Sequence, residues 1–312
     1  MKYTFLMPAY KAAFFREAIQ SILNQTYKDF QLIISDDCSP EELKAIVDDF
    51  DDERIVYRRN ETNIGAERLV DHWNLLLGIA NTEYVILAPD DDVYSPRFLE
   101  EINKLTILHT EVNIFKSRSQ HINANGEVMI KDMLYEEVIS QLDNIYHQTL
   151  PNHISGIGNY VFKTKALKQL GGFVNYTYAW WSDVMTNILL ANNGMAITKD
   201  ILFNFRQSDQ NISSRKASLK ELRLKADATN RFYHEAEKLL SQISITTPYD
   251  KTRKLAWDNH MRDWRFWELK NAAKSYTIRE LYGIIHNNKD IFKSTINKLV
   301  FVRYLIFRAR SN

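Results

Sequence analysis

The chain has 312 residues, of which 45% are hydrophobic, so it is long and apolar enough for two domains or one large domain with an appendage. Its single cysteine, Cys38, excludes an intrachain disulfide, and no sequence window approaches the about 18 uninterrupted apolar residues of a membrane-spanning helix. Residues 1–10 lack the pattern of a signal peptide. We therefore expect a reducing, cytoplasmic location.

The net charge of +1 conceals two regions of opposite charge. Residues 1–214 carry 19 Lys and Arg against 29 Asp and Glu, whereas residues 215–312 carry 21 against 10. The second region is also rich in helix-favouring residues and almost free of turn residues. We predict an acidic domain over residues 1–214 and a basic, mostly helical C-terminal region over residues 215–312.

Short β-rich runs alternate with helical patterns over the first hundred residues. Strands are predicted at residues 3–7, 30–35, 54–59 and 84–88, with helices at residues 15–25, from residue 40 onward, and at residues 67–80. Strand, turn and helix resume at residues 156–173, and a further helix ends at Gly194. This alternation predicts a layered α/β domain with a mostly parallel sheet.

Acidic side chains follow two of the predicted strands. Asp36 and Asp37 come after the second strand, and Asp90, Asp91 and Asp92 come after the fourth. Ligands of open α/β sheets bind outside the carboxyl ends of the strands. If the two strands are neighbours, these carboxylates face one crevice.

Three consecutive carboxylates at a strand end favour a divalent cation. Mg²⁺ and Mn²⁺ take oxygen ligands and commonly bridge protein carboxylates to substrate phosphates. Such an ion also makes a diphosphate a better leaving group. The alternative is that these aspartates cap a helix. Because Ser95 and Pro96 supply a cap and a first residue for the next helix, we expect the aspartates to be available to a metal.

Four ordered motifs within residues 1–214 resemble the family 2 nucleotide-sugar-dependent glycosyltransferases, which have the GT-A fold and invert the anomeric centre. The motifs are FLMPAYKAAFFREAIQSILNQTYKDFQLIISDDCSPEEL, NETNIGAERLVDHWNLLLGIANTEYVILAPDDDVYSPRFLEEI, GNYVFKTKALKQLGGF and WWSDVMTNILLANNGMAI. The resemblance implies a GT-A type domain with a mixed, mostly parallel sheet flanked by helices, followed by a helical C-terminal module.

The resemblance also implies roles on the donor side. Pro8 and Tyr10 would shape the loop under the nucleotide base, and Asp37, with Asp36 beside it, would hydrogen-bond the base. The main ligand of Mn²⁺ or Mg²⁺ would be Asp91.

Other donor-side positions complete this assignment. Asp90 would reach the ribose or share the metal. Pro89 replaces the first acid that many family members have, so Asp92 joins the candidate metal ligands. Asn63 and Gly65 are predicted to form the turn before the third helix, where Gly65 would allow close approach to the nucleotide.

On the acceptor side, the resemblance implies that Asp183 is the catalytic base. A base on the face opposite the leaving diphosphate is what inversion by a single displacement requires. Trp180 and Trp181 precede it and could stack on an acceptor sugar, although paired tryptophans also occur in cores. Both interpretations remain open.

The chain departs from the family pattern at several positions. Lys11 stands where the family often has Asn, and Cys38 replaces the glycine of Asp-Asp-Gly-Ser. Ser182 replaces an acid before the base. Ser208 replaces the histidine of an Arg-x-His motif, which leaves a lid or third metal contact open. We still expect activity because the three principal acids, Asp37, Asp91 and Asp183, are retained.

The basic C-terminal region has three open interpretations, namely a solvated helical face, a dimer or partner surface, or an element at an anionic membrane surface. Residues 297–312, NKLVFVRYLIFRARSN, have the composition of an interfacial helix. Peripheral contact with the inner face of the membrane would suit a lipid-linked acceptor. We expect no nucleic-acid partner, since acids are interspersed with the basic residues.

We expect an inverting glycosyltransferase that moves a sugar from a nucleotide-diphosphate donor, with a UDP-sugar as the default, to a glycan or lipid-linked saccharide in surface polysaccharide synthesis. The alternative is a degenerate nucleotide-sugar-binding scaffold, which the departures from the family pattern motivate. A metal-dependent phosphohydrolase could also use strand-end aspartates, but it would not require Asp183.

Overall fold

The computed structural model describes residues 1–208, 211, 217–287 and 291. The chain divides into two compact units, Met1–Arg215 and Lys216–Asn312. The first unit contains a mixed sheet with helices packed against it, and the second is helical in its described part. The predicted α/β fold with a helical C-terminal module is therefore confirmed.

Ten strands form one sheet in the described part of the first unit. They are β1 Tyr3–Ala9, β2 Phe30–Asp36, β3 Ile55–Arg59, β4 Tyr84–Leu87, β5 Val93–Tyr94, β6 Ile114–Ile122, β7 Val128–Lys131, β8 Val138–Ile139, β9 Tyr160–Lys163 and β10 Met195–Arg206. The strand order is β3-β2-β1-β4-β9-β6-β10-β5, while β7 pairs with β6 and β8 pairs with β10.

Within the described residues of the first unit, seven α-helices accompany the sheet. They are α1 Phe15–Leu23, α2 Leu43–Asp48, α3 Leu69–Ile79, α4 Phe98–Leu108, α5 Gln141–His147, α6 Thr164–Gln169 and α7 Ser182–Leu190. Short 3₁₀ turns lie at Ala66–Arg68, Ile157–Asn159, Thr177–Ala179 and Ala191–Asn193.

The central strand β1 is parallel to its two neighbours, β2 and β4. Its apolar run is buried on both faces, because helices cover both sides of the sheet. Phe5 packs edge-on to Tyr94 and Phe30 on one face, with ring centroids 5.2 and 5.7 Å away. Leu6 joins Trp73 in a separate cluster on the other face. The carboxyl ends of the three strands therefore meet at one edge of the sheet.

The helix after β2 begins later than the sequence predicted. It starts at Leu43 and has no side-chain cap, whereas the pattern around Pro40 predicted a start there with Ser39 as the cap. The Ser39 hydroxyl instead donates to the backbone oxygen of Tyr10 over 2.6 Å. The segment before the helix is thereby held against the loop that follows β1.

Three α-helices are described in the second unit, α8 Leu219–Leu240, α9 Pro248–Ala272 and α10 Ile278–Asn287. The first two start at side-chain caps, in which Ser218 accepts from the Glu221 amide and Thr247 accepts from the Asp250 amide. None of the described helices has the length and apolar character needed to span a bilayer. The stretch 297–312, predicted as an interfacial helix, lies outside the described residues.

The turn before β9 packs closely against β10 and the residue after β4, and this packing requires a glycine at position 158. A Cβ placed on Gly158 would lie 2.5 Å from the Phe203 ring and 2.8 Å from Cδ of Pro89. Pro89 follows β4, and Phe203 belongs to β10. Gly158 therefore allows the turn before β9 to pack directly against both.

We expect Gly158→Ala to lower the free energy of unfolding by about 1–3 kcal/mol, because the added methyl group overpacks this contact. The matched control is Gly78→Ala in α3, where no atom of the described residues lies within 4 Å of the added Cβ. This control should raise stability by about 0.5 kcal/mol through helix propensity. Calorimetric melting of both variants measures the difference, and equal shifts would contradict the packing argument.

Candidate active site

Asp36, the last residue of β2, is fully buried and both of its carboxylate oxygens are engaged. One oxygen accepts from the Ser39 amide over 2.7 Å, and the other accepts from the Tyr57 hydroxyl over 2.6 Å and forms an ion pair with Arg59. Burial, aided by the bond to Asp36, raises the pKa of Tyr57 to about 12. Asp36 therefore connects the end of β2 to β3.

The neighbouring Asp37 organises the loop between β3 and α3. Its carboxylate accepts from the amides of Ile64 and Gly65 over 2.9 and 3.0 Å, and from the side-chain amide of Asn60 over 2.9 Å. The Asn63 side chain donates to the backbone oxygen of Asp37 over 2.9 Å. The structure thus brings together three residues that the sequence had assigned to the donor side.

Gly65 is required here by its backbone conformation. Its φ of 79° lies in the left-handed region, and a Cβ would approach Oδ1 of Asn63 to 2.9 Å. Pro8 lies in β1 opposite Ser35 of β2, and Tyr10 follows the strand with an exposed ring. These residues lie at the same sheet edge as Asp37.

The three consecutive acids after β4 form no helix cap, because the short strand β5 follows them directly. Asp90 accepts from the backbone amides of Tyr10 and Lys11 over 2.8 and 3.0 Å. Asp91 accepts from the Lys11 ammonium over 2.6 Å. Asp92 accepts from the Arg206 amide over 2.7 Å. The three carboxylates therefore have different partners.

Burial changes the pKa of two of these acids, Asp90 and Asp92. It raises the pKa of Asp90, against the opposing effect of the Lys11 ammonium. Burial and the neighbouring carboxylate of Asp91 hold the pKa of Asp92 well above its usual range. A positive charge near these carboxylates is therefore favourable, because it stabilises their ionised form.

Arg206, at the end of β10, holds the other side of this cluster. Its guanidinium pairs with Glu17 over 2.6 Å, donates to the backbone oxygen of Asp91 over 3.0 Å, and lies 4.3 Å from the centroid of the Phe14 ring. Asn211 places its amide 3.4 Å from Oδ2 of Asp91. From the sequence, this arginine was recognised only as the first residue of the incomplete Arg-x-His motif that ends at Ser208. Its position at the end of β10 is the feature that could have indicated its role.

The acids after β4 fit a hard divalent cation, although the described residues contain no group of three metal-binding side chains. Oδ2 of Asp92 is buried without a hydrogen-bond partner among the described residues, and Oδ2 of Asp91 already holds a cation, the Lys11 ammonium. Mg²⁺ and Mn²⁺ are usually held by one or two carboxylates together with substrate phosphates. The assignment of Asp90, Asp91 and Asp92 as metal ligands remains a prediction.

Asp183 lies at the amino-terminal end of α7, where its carboxylate accepts backbone amides of its own residue and of Val184. Burial raises the pKa of Asp183 to about 6, despite the opposing effect of these amides. The preceding Ser182, which replaces an acid of the family pattern, accepts from the Tyr176 amide over 3.1 Å. Ser182 therefore fixes the loop before the helix.

The loop before Asp183 has an unusual backbone. Tyr178, Ala179 and Trp181 have φ values of 60°, 55° and 71°, in the left-handed region that costs a non-glycine residue about 1–2 kcal/mol. Trp180 and Trp181 are partly buried on this loop. Such strain concentrates at functional sites.

Two contacts join the loop before Asp183 to the start of α3 and the turn that precedes it. The turn Thr177–Ala179 packs against the turn Ala66–Arg68, which directly follows Gly65. In addition, Asn175 donates to Asp71 over 2.6 Å. The structure therefore connects the loop between β3 and α3, which Asp37 organises, to the segment that carries Asp183.

The model of the family described as "Glycosyl transferase family 2" matches residues 4–171. The chain belongs to this family. The predicted family is thereby confirmed. The matched range includes both acidic strand ends and stops before Asp183.

Relatives of this family 2 chain include an Escherichia coli protein named UDP-Glc:alpha-D-GlcNAc-diphosphoundecaprenol beta-1,3-glucosyltransferase WfgD. The two are 26% identical over 232 residues, which cover 73% of this chain and 85% of WfgD. The chain spans about half of the length of several other curated relatives that it matches.

Solved structures share the fold. S. aureus TarS 1-349, in complex with UDP-GlcNAc, superposes with a TM-score of 0.60 at 18% identity, over 93% of this chain and 88% of that chain. The mannosyltransferase PcManGT from Pyrobaculum calidifontis, in complex with GDP-Man and Mn²⁺, gives 0.56 at 14% identity, over 100% and 86%. The GT-A type fold is therefore confirmed.

One departure of this family 2 chain has a direct cost in backbone energy. Cys38 follows Asp37 with a φ of 54°, a conformation that glycine adopts without strain. Its thiol lies 3.7 Å from the Glu61 backbone oxygen and 3.9 Å from the Arg59 guanidinium. A side chain is therefore accommodated there with backbone strain.

We expect Cys38→Gly to be more stable than Cys38→Ala by about 1 kcal/mol, because both lose the thiol but only glycine relieves the left-handed strain. At ordinary positions glycine is instead less stable than alanine by about 0.5–1 kcal/mol. Melting temperatures of the two variants measure the sign of the difference. A less stable glycine variant would show that position 38 is unstrained.

Proposed function

We propose that this family 2 domain, over residues 1–214, is an inverting transferase that moves a sugar from a nucleotide-diphosphate donor to a saccharide hydroxyl. The observation that carries the proposal is Asp183, whose pKa of about 6 lets a carboxylate act as a general base near neutral pH. A base of this strength is ionised at pH 7 and still holds a proton better than an ordinary aspartate does.

The proposed reaction is a single displacement. Asp183 takes the proton of the acceptor hydroxyl as its oxygen forms a bond to the anomeric carbon. The bond from that carbon to the diphosphate oxygen breaks, and its electron pair leaves with the nucleoside diphosphate. Attack opposite the leaving group inverts the anomeric centre.

The donor half of the site rests on Asp37 and Asp91. In this proposal Asp37 accepts a hydrogen bond from the base, supported by the neighbouring Asp36, Asn63 and Gly65, while Pro8 and Tyr10 shape the loop below it. A UDP-sugar is the first donor to test, because TarS binds UDP-GlcNAc and WfgD is named for UDP-Glc. The GDP-Man of PcManGT makes guanine the second base to test.

A divalent cation is part of the proposal. Asp91 would be its main ligand, with Asp90 and Asp92 as further candidates. Mg²⁺ or Mn²⁺ would neutralise the charge that develops on the leaving diphosphate. The hard oxygen donors at the end of β4 and the Mn²⁺ in PcManGT support this assignment.

The proposed acceptor is a glycan or a lipid-linked saccharide of surface polysaccharide synthesis. The name of WfgD, which includes a diphosphoundecaprenol acceptor, supports this class, and Trp180 and Trp181 precede the base where a sugar ring could stack. Such an acceptor would place the protein in the cytoplasm at the inner face of the membrane.

The basic C-terminal region, residues 215–312, is proposed to contact that membrane surface or to form a homodimer. On α9, the rings of Trp264 and Trp267 are 40% and 53% exposed, and the Lys270 ammonium lies 4.2 Å from the Trp267 ring. Half-exposed tryptophans beside basic side chains suit a membrane interface. A degenerate scaffold remains the alternative to the enzyme.

Substitutions of Asp91 and Asp183 should affect different steps, namely nucleotide binding and sugar transfer. We expect Asp91→Asn to lose Mn²⁺-dependent binding of UDP or GDP in calorimetric titration, because the main metal ligand is gone. Asp183→Asn should retain nucleotide binding and lose transfer or donor hydrolysis by about 10²–10⁴-fold. Asp51→Asn, an exposed acid before the amino-terminal end of β3, is the control. If no nucleoside diphosphate binds under any metal condition, both the transferase and the scaffold are excluded.

The pH dependence of kcat/KM should report Asp183, because this ratio follows ionisation of the free protein. Because the pKa of Asp183 is raised to about 6 and the base must be ionised, kcat/KM should fall about tenfold per pH unit below 6 and level off above it. An unperturbed aspartate would hold the rate constant down to about pH 4. Steady-state rates between pH 5 and 8 distinguish these profiles, and Asp183→Glu tests whether the midpoint belongs to this side chain.

A further inference from the structure

The Lys11 side chain enters the acidic cluster as a cation. Its ammonium lies 2.6 Å from Oδ2 of Asp91 and 3.6 Å from Oδ1 of Asp90. The side chains of Asp90 and Asp91 are 9% and 8% exposed, whereas the lysine side chain keeps 27% exposure. Lys11 therefore reaches from the surface into a buried anionic site.

This pairing has a clear electrostatic reason. Two adjacent carboxylates that are taken out of water repel each other and lose hydration, so each favours a nearby positive charge. Oδ2 of Asp90 is already satisfied by the amides of Tyr10 and Lys11. Among the described residues, Oδ2 of Asp91 has the Lys11 ammonium at close range and the Asn211 amide at 3.4 Å. The charge of Lys11 is therefore directed mainly at Asp91.

The same oxygen is where a divalent cation would bind. A divalent cation held by this carboxylate would be repelled by the ammonium that lies 2.6 Å from Oδ2 of Asp91. We propose that the Lys11 ammonium is the resident counter-ion of Asp91 and that it competes with the divalent cation for this carboxylate. Metal binding then requires Lys11 to withdraw toward solvent.

The local structure permits this withdrawal. Lys11 lies in the segment between β1 and α1, and its flexible four-carbon stem is partly exposed. The backbone bonds from Tyr10 and Lys11 to Asp90 do not involve the ammonium, so they hold the segment while the side chain moves. Substitutions of Lys11 therefore remove the cation and retain the backbone anchor.

This inference rests on the proposed metal site at Asp91, and the experiment separates the two. Binding of Mn²⁺ alone is measured by the electron paramagnetic resonance signal of the free ion, without nucleotide, for the full chain. Lys11→Met and Lys11→Asn remove the ammonium, and the second is the residue that family members often carry. Lys11→Arg keeps a positive charge. Lys44→Met removes an exposed lysine that pairs with Asp48 on α2.

We expect Lys11→Met and Lys11→Asn to bind Mn²⁺ at least tenfold more tightly than the wild type, with Lys11→Arg and Lys44→Met close to the wild type. Mn²⁺ should also raise the melting temperature of Lys11→Met more than that of the wild type, because the ion replaces the missing charge. These two readouts do not depend on catalysis.

Three results would overturn the inference. Equal or weaker Mn²⁺ binding by both neutral Lys11 variants would show that the ammonium does not compete. An equal gain in Lys44→Met would show that only the net charge matters. If Asp91→Asn binds Mn²⁺ as the wild type does, the proposed metal site itself is wrong. The first result can occur while Asp91→Asn loses Mn²⁺ binding. In that case the metal site at Asp91 is supported and only the competition by Lys11 is excluded.

Discussion

The parallel pairing of β1 with β2 and β4 is the constraint on which the rest of the site depends. Parallel strands end at the same edge, so the acids after β2 and β4 meet there although β1 separates the two strands. Ala9 pairs with Asp36, and the residues just beyond it donate their amides to Asp90. The loop after β1 is thus fixed between two acidic strand ends.

The loops at this edge take their shape from buried carboxylates. Asp36, Asp37, Asp90 and Asp92 each accept at least one backbone amide, a bond that is stronger than one between neutral groups. Segments without regular secondary structure are thereby held in place at the site. Asp91 differs from these acids, since its carboxylate pairs with the Lys11 ammonium.

Much of the fold could be predicted from the sequence, because buried apolar runs and helical periodicity are local signals. The positions of Asp37 and Asp91 at strand ends followed from the same patterns. The separate partners of Asp90, Asp91 and Asp92 could not be predicted, since Arg206 lies 114 residues beyond Asp92 and only the folded sheet brings them together. The late start of α2 depends in the same way on a tertiary contact, the bond from Ser39 to the backbone of Tyr10.

The hydrogen bonds of Asp37 set how much more this carboxylate can accept. A carboxylate offers about four lone-pair sites, and the amides of Ile64, Gly65 and Asn60 use three of them. Within the described part of the chain, one site is left. A single ring N–H, such as N3–H of uracil, would fill it without displacing a loop bond. A ligand that presents two donors would have to break one, so the loop itself limits what the carboxylate can recognise.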